Sequence, residues 1–436
     1  MEKFEILEIL TEWNFWKEDM EVGIFREYYV NEILDRLKLD KVISVIGVRR
    51  SGKSTILKQI VKKLIEKNMR ENTLIVNFED RRWLKLDLEF LNKVYDAYQE
   101  IIKPRGKPYI FLDEIQKVEK WERFVRSLNE RKEANILITG SSSELMSKEL
   151  SSLLTGRTLE IEIFPLSFKE FLKFKKLRIK DERDMAFNAA EIRSLFIEYL
   201  EFGGFPEIVL VDDKRYKREI LWQYFDDIIG KDVIERFNIR NSRKIEILAK
   251  YYLTNISSPH TFNSISRFLK IPVETISRYS NYLEISRLIS FLKRFSFSLK
   301  EQENSPRKVY SIDIGLSNAI GFRFREDFGK IAENIVFLEL KRREMKSKTE
   351  IFYWKDSYGK EVDFVVKDDT SIKELIQVCW DISKPNTKER ELKALVKAGK
   401  ELKCRNLKVI TWDYEGREEF KGKEIRFIPL WRWLLG

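Results

Sequence analysis

Residues 47–54 read Gly-Val-Arg-Arg-Ser-Gly-Lys-Ser, which places two glycines and a Lys-Ser pair at the spacing of a phosphate-binding loop. The loop follows the apolar run 42–48 and opens the amphipathic segment 55–67, so a strand and a helix are predicted beside it. In such a loop, backbone N–H groups point at phosphate oxygens, and the helix N-terminus adds partial positive charge. The predicted nucleotide-binding residues are Gly47, Val48, Arg49, Arg50, Ser51, Gly52, Lys53, Ser54 and Thr55.

Two adjacent acids, Asp113 and Glu114, end the apolar run 109–112, which is predicted to be a second buried strand. At this position Asp113 would hold Mg²⁺ through the water molecules bound to the ion, and the Ser54 hydroxyl would coordinate the same ion. Lys53 would reach the β- and γ-phosphates of ATP. Glu114 is placed to orient and polarise an attacking water. These residues predict an ATP hydrolase, with ATP and Mg²⁺ as cofactors, in preference to a passive nucleotide binder.

Two further positions could sense the nucleotide or complete the reaction. The next predicted strand ends at residues 138–142, where the hydroxyl of Ser141, or alternatively that of Thr139, would lie beside the γ-phosphate. Arg157 follows a glycine in a loop and is a candidate arginine finger that a neighbouring subunit would deliver; a surface ion pair is the alternative. If Arg157 acts between subunits, the working form is a homo-oligomer, for which a hexameric ring is one option.

The composition narrows the remaining chemistry. The chain has 436 residues, 43% of them hydrophobic, and contains no run of about 18 apolar residues that would cross a membrane. Its N-terminus lacks a signal-peptide pattern, and two cysteines cannot form a disulfide framework, so a cytoplasmic location is expected. A single histidine, His260, argues against a His-based catalytic triad or a multi-histidine zinc site.

The order of strand and helix signals predicts several domains. Residues 1–40 are predicted to be helical, and strands and helices then alternate to about residue 165, which predicts an α/β domain with a doubly wound parallel sheet. Residues 166–240 lose the strand signal and are mostly helical. Residues 241–325 predict short helices followed by a hairpin, and residues 326–436 return to an α/β pattern.

Positive charge is concentrated in residues 240–310. They hold thirteen Lys or Arg and five Asp or Glu, a surplus of eight, whereas the whole chain has a net charge of +11. A helix over 262–269, a break at Pro272 and a second helix over 273–285 predict a helix-turn-helix, followed by a strand–turn–strand wing. The predicted DNA-binding residues are Arg267, Lys270, Ser277, Arg278, Asn281, Lys293, Arg294, Arg307 and Lys308.

Several motifs together resemble a prokaryotic, largely archaeal family of AAA-type P-loop ATPases with a C-terminal nuclease-like domain of unknown function. The motifs are GVRRSGKST, YIFLDEIQ, ITGSSS, LLTGRT, EIFPLSFKEFL and GGFPE, and the likeness covers nearly the whole chain. The resemblance implies an AAA-type core, a helical lid over 166–240 and a winged helix over 241–325. It also implies that Gly204-Phe205-Pro206 touches the nucleotide base through Pro206; a plain loop between lid helices is the alternative.

DNA binding is not the one explanation for the positive charge of residues 240–310. In AAA-type relatives, winged-helix domains also pack against their own ATPase core or bind protein. A Lys- and Glu-rich surface is also typical of heat-adapted proteins. The sequence does not distinguish branched, duplex and single-stranded DNA, and few outward residues could read base edges.

The C-terminal pattern resembles a restriction-endonuclease-like core, in which a helix Glu, a strand Asp and a following Glu/Gln-x-Lys hold Mg²⁺. Glu333, Asp363 and Gln377 match the first three positions, but Cys379 stands where that family has its lysine. A neutral thiol carries no positive charge. We therefore expect a degenerate site kept for binding DNA or a protein partner, although the two carboxylates could still hold a weak Mg²⁺.

Three functions are compatible with these residues. The first is Mg²⁺-dependent ATP hydrolysis coupled to DNA binding or remodelling by an oligomeric AAA-type ATPase. The second is a slow nucleotide-dependent switch that binds a protein partner. The third is an ATP-licensed nuclease, which would need a substitute cation such as Lys384 or Arg390 at the C-terminal site.

Overall fold

The structure, a computed structural model, describes residues 1–67, 69–140, 156–321, 327–347 and 349–436. Over these ranges the chain forms two compact units, Met1–Phe164 and Pro165–Gly436. None of the helices in these ranges is both long enough and apolar enough to span a lipid bilayer.

The first unit is an α/β domain built on one parallel sheet. Its elements are α1 (Lys3–Trp13), α2 (Glu27–Leu37), β1 (Val42–Ile46), α3 (Lys53–Ile65), β2 (Thr73–Asn77), α4 (Leu88–Ala97), β3 (Tyr109–Asp113), α5 (Trp121–Glu130), β4 (Asn135–Thr139) and β5 (Thr158–Glu162). The strands run parallel in the order β2–β3–β4–β1–β5. The predicted α/β fold with a parallel sheet is therefore confirmed.

The central strands of this sheet are buried because apolar side chains cover both faces. Every residue of β1 is buried, and in β3 and β4 only the first residue is partly exposed. The carboxyl ends of parallel strands lie at one edge of a sheet, and this strand order puts the ends of β1, β4 and β3 side by side. The phosphate-binding loop follows β1 and the paired acids end β3, so both predicted parts of the site lie at this edge.

The second unit contains a helical segment, a small antiparallel sheet and a larger mixed sheet. Its elements up to residue 320 are α6 (Phe168–Phe174), α7 (Glu182–Phe187), α8 (Ala189–Phe202), α9 (Pro206–Leu210), α10 (Lys214–Asp227), α11 (Ser242–Thr254), β6 (Ser258–His260), α12 (Phe262–Leu269), α13 (Val273–Ile285), β7 (Ile289–Leu292), α14 (Leu299–Asn304), β8 (Arg307–Ser311) and α15 (Ile314–Ile320). The remaining elements are α16 (Phe328–Glu344), β9 (Thr349–Lys355), β10 (Glu361–Asp368), β11 (Ser371–Val378), α17 (Pro385–Glu401), β12 (Leu407–Thr411), β13 (Gly416–Phe420), β14 (Lys423–Pro429) and α18 (Leu430–Leu435).

The small sheet lies within residues 242–311, where the order is helix, strand, two helices and two strands. Its strands pair antiparallel in the order β6–β8–β7. The larger sheet has the order β13–β14–β12–β11–β10–β9, with β9, β10 and β11 antiparallel and β11, β12 and β14 parallel. The helix pair and the hairpin expected from the sequence are both here, together with a short helix, α14, in the hairpin loop.

A glycine pair after α8 packs against the buried carboxylate of Asp313. The Gly204 N–H donates to Asp313 Oδ2 at 2.7 Å, and a side chain on Gly203, whose φ is +74°, would overlap the same carboxylate. The Gly204 carbonyl also accepts from the Leu166 N–H at 2.7 Å. The segments 164–168 and 203–206, FPLSF and GGFP, therefore contact each other through Leu166 and Gly204. Burial raises the pKa of Asp313 to about 6.

Replacing Gly204 with alanine tests this contact. The new Cβ would lie 2.4 Å from the Leu166 carbonyl oxygen, so one backbone segment must move. We expect the free energy of unfolding to fall by roughly 1–3 kcal/mol, as at other overpacked sites. Gly230→Ala is the matched control. Gly230 lies in a π-helix, Ile228–Glu235, and in the described ranges no atom beyond that helix lies within 4 Å of a Cβ there. Equal thermal midpoints for the two variants would contradict the importance of this contact.

Candidate functional site

The phosphate-binding loop, residues 47–52, joins β1 to α3 through two positions that favour glycine. Gly52 has a φ of +95°, and a Cβ on Gly47 would lie 2.4 Å from the Ile163 carbonyl oxygen. Lys53 is buried at the start of α3, and its Nζ donates to two loop carbonyls at 3.0 and 3.3 Å. The ammonium group is therefore held at the loop, beside the helix N-terminus that favours an anion.

Asp113 and Glu114 are adjacent but are held differently. Asp113 is 3% exposed and accepts hydrogen bonds from the hydroxyls of Thr139 and Ser54. Burial raises the pKa of Asp113, although those hydrogen bonds and the charge of Lys53 act in the opposite direction. Glu114 is partly exposed, has a φ of +57°, and its backbone N–H donates to Thr139 Oγ1 at 3.1 Å. One carboxylate is thus buried and the other accessible, which suits metal binding and water activation respectively.

The structure describes two of the three residues that were predicted to sense the γ-phosphate or act as an arginine finger. Ser141 lies outside the described residues, whereas the alternative, Thr139, ends β4 with its hydroxyl bonded to Asp113. Arg157 forms an ion pair with Glu130 at 3.0 Å, and both side chains are partly exposed. This contact is the surface ion pair named as the alternative, and a role of Arg157 toward a second subunit stays a prediction.

Arg26 supports the phosphate-binding loop and was not expected from the sequence. It is 3% exposed, and its guanidinium donates to the carbonyl oxygens of Ser51 and Phe164, both at 2.9 Å. Gln59 on α3 accepts from the Arg26 backbone N–H at 3.0 Å and donates to carbonyls of segment 22–24. Arginine is typically an exposed residue, so no local pattern indicates that this one is buried.

An open cavity of about 260 Å³ lies beside this loop. Its walls include segment 21–23, Trp13 and the first turns of α3, and both Ser54 and Asp113 line it. Hydroxyl and carboxylate oxygens are ligands that Mg²⁺ prefers, and the ammonium of Lys53 suits phosphate oxygens. The residues of this edge therefore fit a nucleotide and its Mg²⁺.

The segment Gly204-Phe205-Pro206 has local structural reasons for its composition. Gly204 is bonded to Leu166 and Asp313, and the buried ring of Phe205 packs on Tyr224 with the centroids 5.2 Å apart. Pro206 is the first residue of α9, a position that suits its fixed φ. The contact of Pro206 with a nucleotide base stays a prediction.

The helix pair α12 and α13 has an apolar inner face and a polar outer face. Ile265 in α12, and Ile276 and Leu283 in α13, are fully buried. The predicted DNA-contacting residues of the pair are all exposed: Arg267, Lys270, Ser277, Arg278 and Asn281. Their exposure leaves them accessible, and contact with DNA stays a prediction.

The wing residues are engaged within the second unit. Lys293 and Arg307 both pair with Glu303, at 2.5 and 2.9 Å, and Arg294 donates to a carbonyl of β9 at 2.5 Å. Lys308 is 1% exposed and is bonded to three carboxylates. The prediction that Lys308 contacts DNA phosphates is therefore wrong, because a buried ammonium group cannot reach a phosphate on the surface.

The three predicted positions of the nuclease-like site, Glu333, Asp363 and Gln377, lie together. The Asp363 N–H donates to Gln377 Oε1 at 3.3 Å. Lys308 Nζ lies 2.8 Å from Glu333 and 2.9 Å from Asp363. Burial raises the pKa of Glu333 to about 8, and the neighbouring Asp363 acts in the same direction. Burial also raises the pKa of Cys379 to about 12, so this thiol is neutral.

The cation in this cluster is not one that the sequence suggested. Arg390 pairs with Glu391 at 2.6 Å, and Lys384 is the residue before α17, where its side chain makes no capping hydrogen bond. Lys308 supplies the charge instead, from 25 residues before Glu333 in the chain. Across the part of the chain that the structure describes, no group of three or more His, Cys, Asp or Glu is arranged to hold a metal ion.

The parallel sheet, the phosphate-binding loop after β1 and the acids that end β3 define a P-loop domain of the AAA type. Residues 39–172 match the sequence model of a family described as AAA domain. Residues 193–326 and 328–433 match two families described as domains of unknown function, DUF8612 and DUF4143.

Two relatives that span nearly the whole chain are themselves uncharacterized proteins. One, from Methanocaldococcus jannaschii, is 39% identical over 96% of this chain and 93% of its own length. The other, from Haemophilus influenzae, is 31% identical over 94% of this chain and 98% of its own length. The chain belongs to the same family as these two proteins, a family of AAA-type P-loop ATPases.

Two solved structures match the chain at low sequence identity. The Walker-type ATPase of Pyrococcus abyssi aligns with a TM-score of 0.46 and 15% identity, over 69% of this chain and 97% of that one. The ORC1 protein of Aeropyrum pernix, solved in complex with DNA, aligns with a TM-score of 0.31 and 13% identity, over 73% of this chain and 96% of that one. At these values neither match carries a conclusion about this chain.

Asp113→Asn should stabilise the protein when nucleotide and metal are absent. Because burial raises the pKa of Asp113 above its value in the unfolded chain, stability is lost as the pH rises through the shifted pKa. We expect the variant to have a higher Tm than the parent at about pH 8, with the gap closing toward about pH 4. Asp96→Asn, at an exposed position, should leave the Tm unchanged. A lower Tm for Asp113→Asn at both pH values would contradict this assignment.

Proposed function

We propose that this protein is a Mg²⁺-dependent ATP hydrolase whose turnover is coupled to DNA. The observation that carries the proposal is the edge of the parallel sheet, where Lys53 and Ser54 begin the helix after β1 and Asp113 and Glu114 lie at the end of β3. The Ser54 hydroxyl bonds to Asp113, so the loop and the acids are in contact. A hydrolase needs phosphate binding, a metal ligand and a water-activating group at one point, and these residues supply all three.

Each residue has a role that its surroundings support. Lys53 would bind the β- and γ-phosphates, because its ammonium already lies at the loop. Ser54 and Asp113 would hold Mg²⁺, which neutralises phosphate charge when bound. Glu114 would orient the attacking water, since its carboxylate is partly exposed and is itself fixed by a hydrogen bond from Gln116 at 2.5 Å.

Glu114→Gln should separate hydrolysis from binding. The amide cannot accept a proton from water, so we expect kcat to fall by roughly 10²–10⁴-fold while ATP and Mg²⁺ still bind. Phosphate release measures the first effect and titration calorimetry the second. Glu119→Gln, an exposed change five residues along the chain, should keep normal turnover. Normal turnover in Glu114→Gln itself would remove this mechanism.

The oligomeric part of the proposal rests on Arg157. Its ion pair with Glu130 joins side chains that are 38% and 42% exposed, and such pairs contribute little stability. A γ-phosphate in an adjacent subunit could therefore compete for the guanidinium. The mass of the assembly should be measured with ATP-bound Glu114→Gln protein, for which we expect an oligomer. A monomer would contradict a role of Arg157 between subunits.

The DNA part of the proposal rests on the exposed face of α12 and α13. The element order over 242–311, with α14 added in the hairpin loop, resembles that of a winged helix, in which the second helix of the pair would enter the major groove. Arg267, Lys270 and Arg278 would contact phosphates, because exposed cations at this face suit the DNA backbone. Ser277 and Asn281, on the outer side of α13, are the pair that could reach base edges.

Changing Arg267, Lys270 and Arg278 together to glutamine should weaken DNA binding mainly by removing charge. The slope of log affinity against log salt concentration should become shallower by up to about 3, near one unit for each lost phosphate contact. Fluorescence anisotropy with duplex, single-stranded and branched DNA at several salt concentrations measures the slope.

The matched control removes the same charge elsewhere in the second unit. The control variant changes three exposed residues to glutamine: Lys403, Arg405 and Lys421. We expect the control to bind DNA with the parent slope. Equal losses in both triple variants would show a response to net charge alone, and the proposed face would then be wrong.

A second candidate function, a slow nucleotide-dependent switch that binds a protein, is favoured by the position of the hairpin β7–β8. The Phe295 N–H donates to the Tyr353 carbonyl at 2.6 Å, and the Tyr353 N–H donates to the Lys293 carbonyl at 3.1 Å. A hairpin bonded to β9 has fewer groups available for DNA. Stimulation of the ATPase rate by DNA supports coupling to DNA, whereas indifference supports the switch.

A further inference from the structure

Lys308 is a buried cation at the centre of three carboxylates. It lies in β8 and is 1% exposed. Its Nζ lies 2.8 Å from Glu333 Oε1, 2.7 Å from Glu361 Oε1 and 2.9 Å from Asp363 Oδ1. Glu333 comes from α16 and the other two acids from β10, so one ammonium group joins three elements.

The same acids are bonded further within the second unit. The Tyr310 hydroxyl donates to Glu333 Oε1 at 2.7 Å. The Lys355 ammonium donates to Glu361 Oε2 at 3.0 Å, and the second oxygen of Asp363 accepts from a backbone N–H of β11 at 2.9 Å. The carboxylates are therefore fixed in position around the lysine.

Carboxylates this close to one another repel unless a cation lies between them. An ammonium group has three N–H donors, and Lys308 has one carboxylate partner for each. Burial alone would lower the pKa of Lys308, but the surrounding carboxylates, Asp363 foremost, raise it well above its ordinary value. The lysine is therefore charged at neutral pH.

A second contact fixes β8 beside α16. The Ser311 N–H donates to Asn334 Oδ1 at 2.8 Å, and Asn334 Nδ2 donates to the Ser311 carbonyl at 2.9 Å. Asn334 is fully buried and adjacent to Glu333 in the chain. This pair therefore holds the backbone of β8 beside α16, three residues from Lys308.

We propose that Lys308 takes the place of a divalent cation in this acid cluster and makes the C-terminal part of the chain independent of metal. A Mg²⁺ ion would need oxygens at about 2.0–2.1 Å around the point that the ammonium occupies. Because Lys308 comes from β8, the same group joins the small sheet to the larger one. The inference concerns the second unit and does not rest on ATP hydrolysis.

Lys308→Met tests the proposal, because methionine is also long and unbranched but carries no charge. The change is made in Asp113→Asn protein, which lacks the carboxylate ligand of the nucleotide site. We expect the variant to have a lower Tm in EDTA, to regain the lost Tm on addition of MnCl₂, and to bind one Mn²⁺ per chain in an electron paramagnetic resonance titration. Protein that keeps Lys308 should show no C-terminal Mn²⁺ and no gain in Tm.

Two controls separate charge from packing. Lys293→Met, at a partly exposed position in the same hairpin, should leave both the Tm and Mn²⁺ binding unchanged. Lys308→Met combined with Glu333→Gln and Asp363→Asn should fold without metal and bind no Mn²⁺, because two of the three acids are neutralised with the lysine and Glu361 keeps its pair with Lys355. If Lys308→Met is insoluble, this triple variant becomes the test: a folded protein supports the proposal, and an insoluble one contradicts it.

Three results would overturn the proposal. The first is Mn²⁺ binding by protein that keeps Lys308, if that binding is lost on Asp363→Ala. The second is Mg²⁺- or Mn²⁺-dependent cleavage of plasmid DNA that is also lost on Asp363→Ala, which would show an active metal centre. The third is a soluble Lys308→Met protein that binds no Mn²⁺, whatever its stability, because the acids would then not form a cation site.

Discussion

The candidate nucleotide site of the first unit centres on a carboxylate that its own sheet buries. Apolar strand β3 carries Asp113 to the edge of the sheet, opposite Asn77 of β2, and leaves it 3% exposed. A charge in that position raises the free energy of the folded state, and the hydroxyls of Thr139 and Ser54 offset only part of the cost. A bound cation would offset the rest of this free-energy cost. Nucleotide binding and folding stability are therefore linked at this edge of the sheet.

The two units treat buried charge in opposite ways. Burial raises the pKa of Asp113 despite its hydrogen bonds, which is typical of groups that act on a ligand. Lys308 has a carboxylate for each of its N–H donors, so its removal would leave buried carboxylates without a counter-charge. The balance of charge around a buried group therefore distinguishes the candidate binding site at Asp113 from the structural ion cluster at Lys308.

The predictable parts of the molecule are those whose signals are local. The loop 47–54 is contiguous with its strand and helix, and the outer face of α13 follows from helical spacing, so both could be predicted. The contact of Thr139 with Asp113 depends on strand order, which a sequence motif does not specify. Lys308 lies in a basic stretch, and its nearest and farthest acid partners are 25 and 55 residues away. Nothing local distinguishes it from its exposed neighbours, and the surplus of positive charge over 240–310 therefore overstates what faces solvent.

Within six residues, 308–313, the chain touches three parts of the second unit. Lys308 contacts the acids of β10 and α16, Ser311 pairs with Asn334, and Asp313 accepts from Gly204 after α8. Family boundaries at 326 and 328 divide in sequence what the contacts of Lys308 and Ser311 join in space. The C-terminal domain is therefore not a detachable appendage: excision near residue 327 would strip Lys308 of its counter-charges and open the core that both parts share.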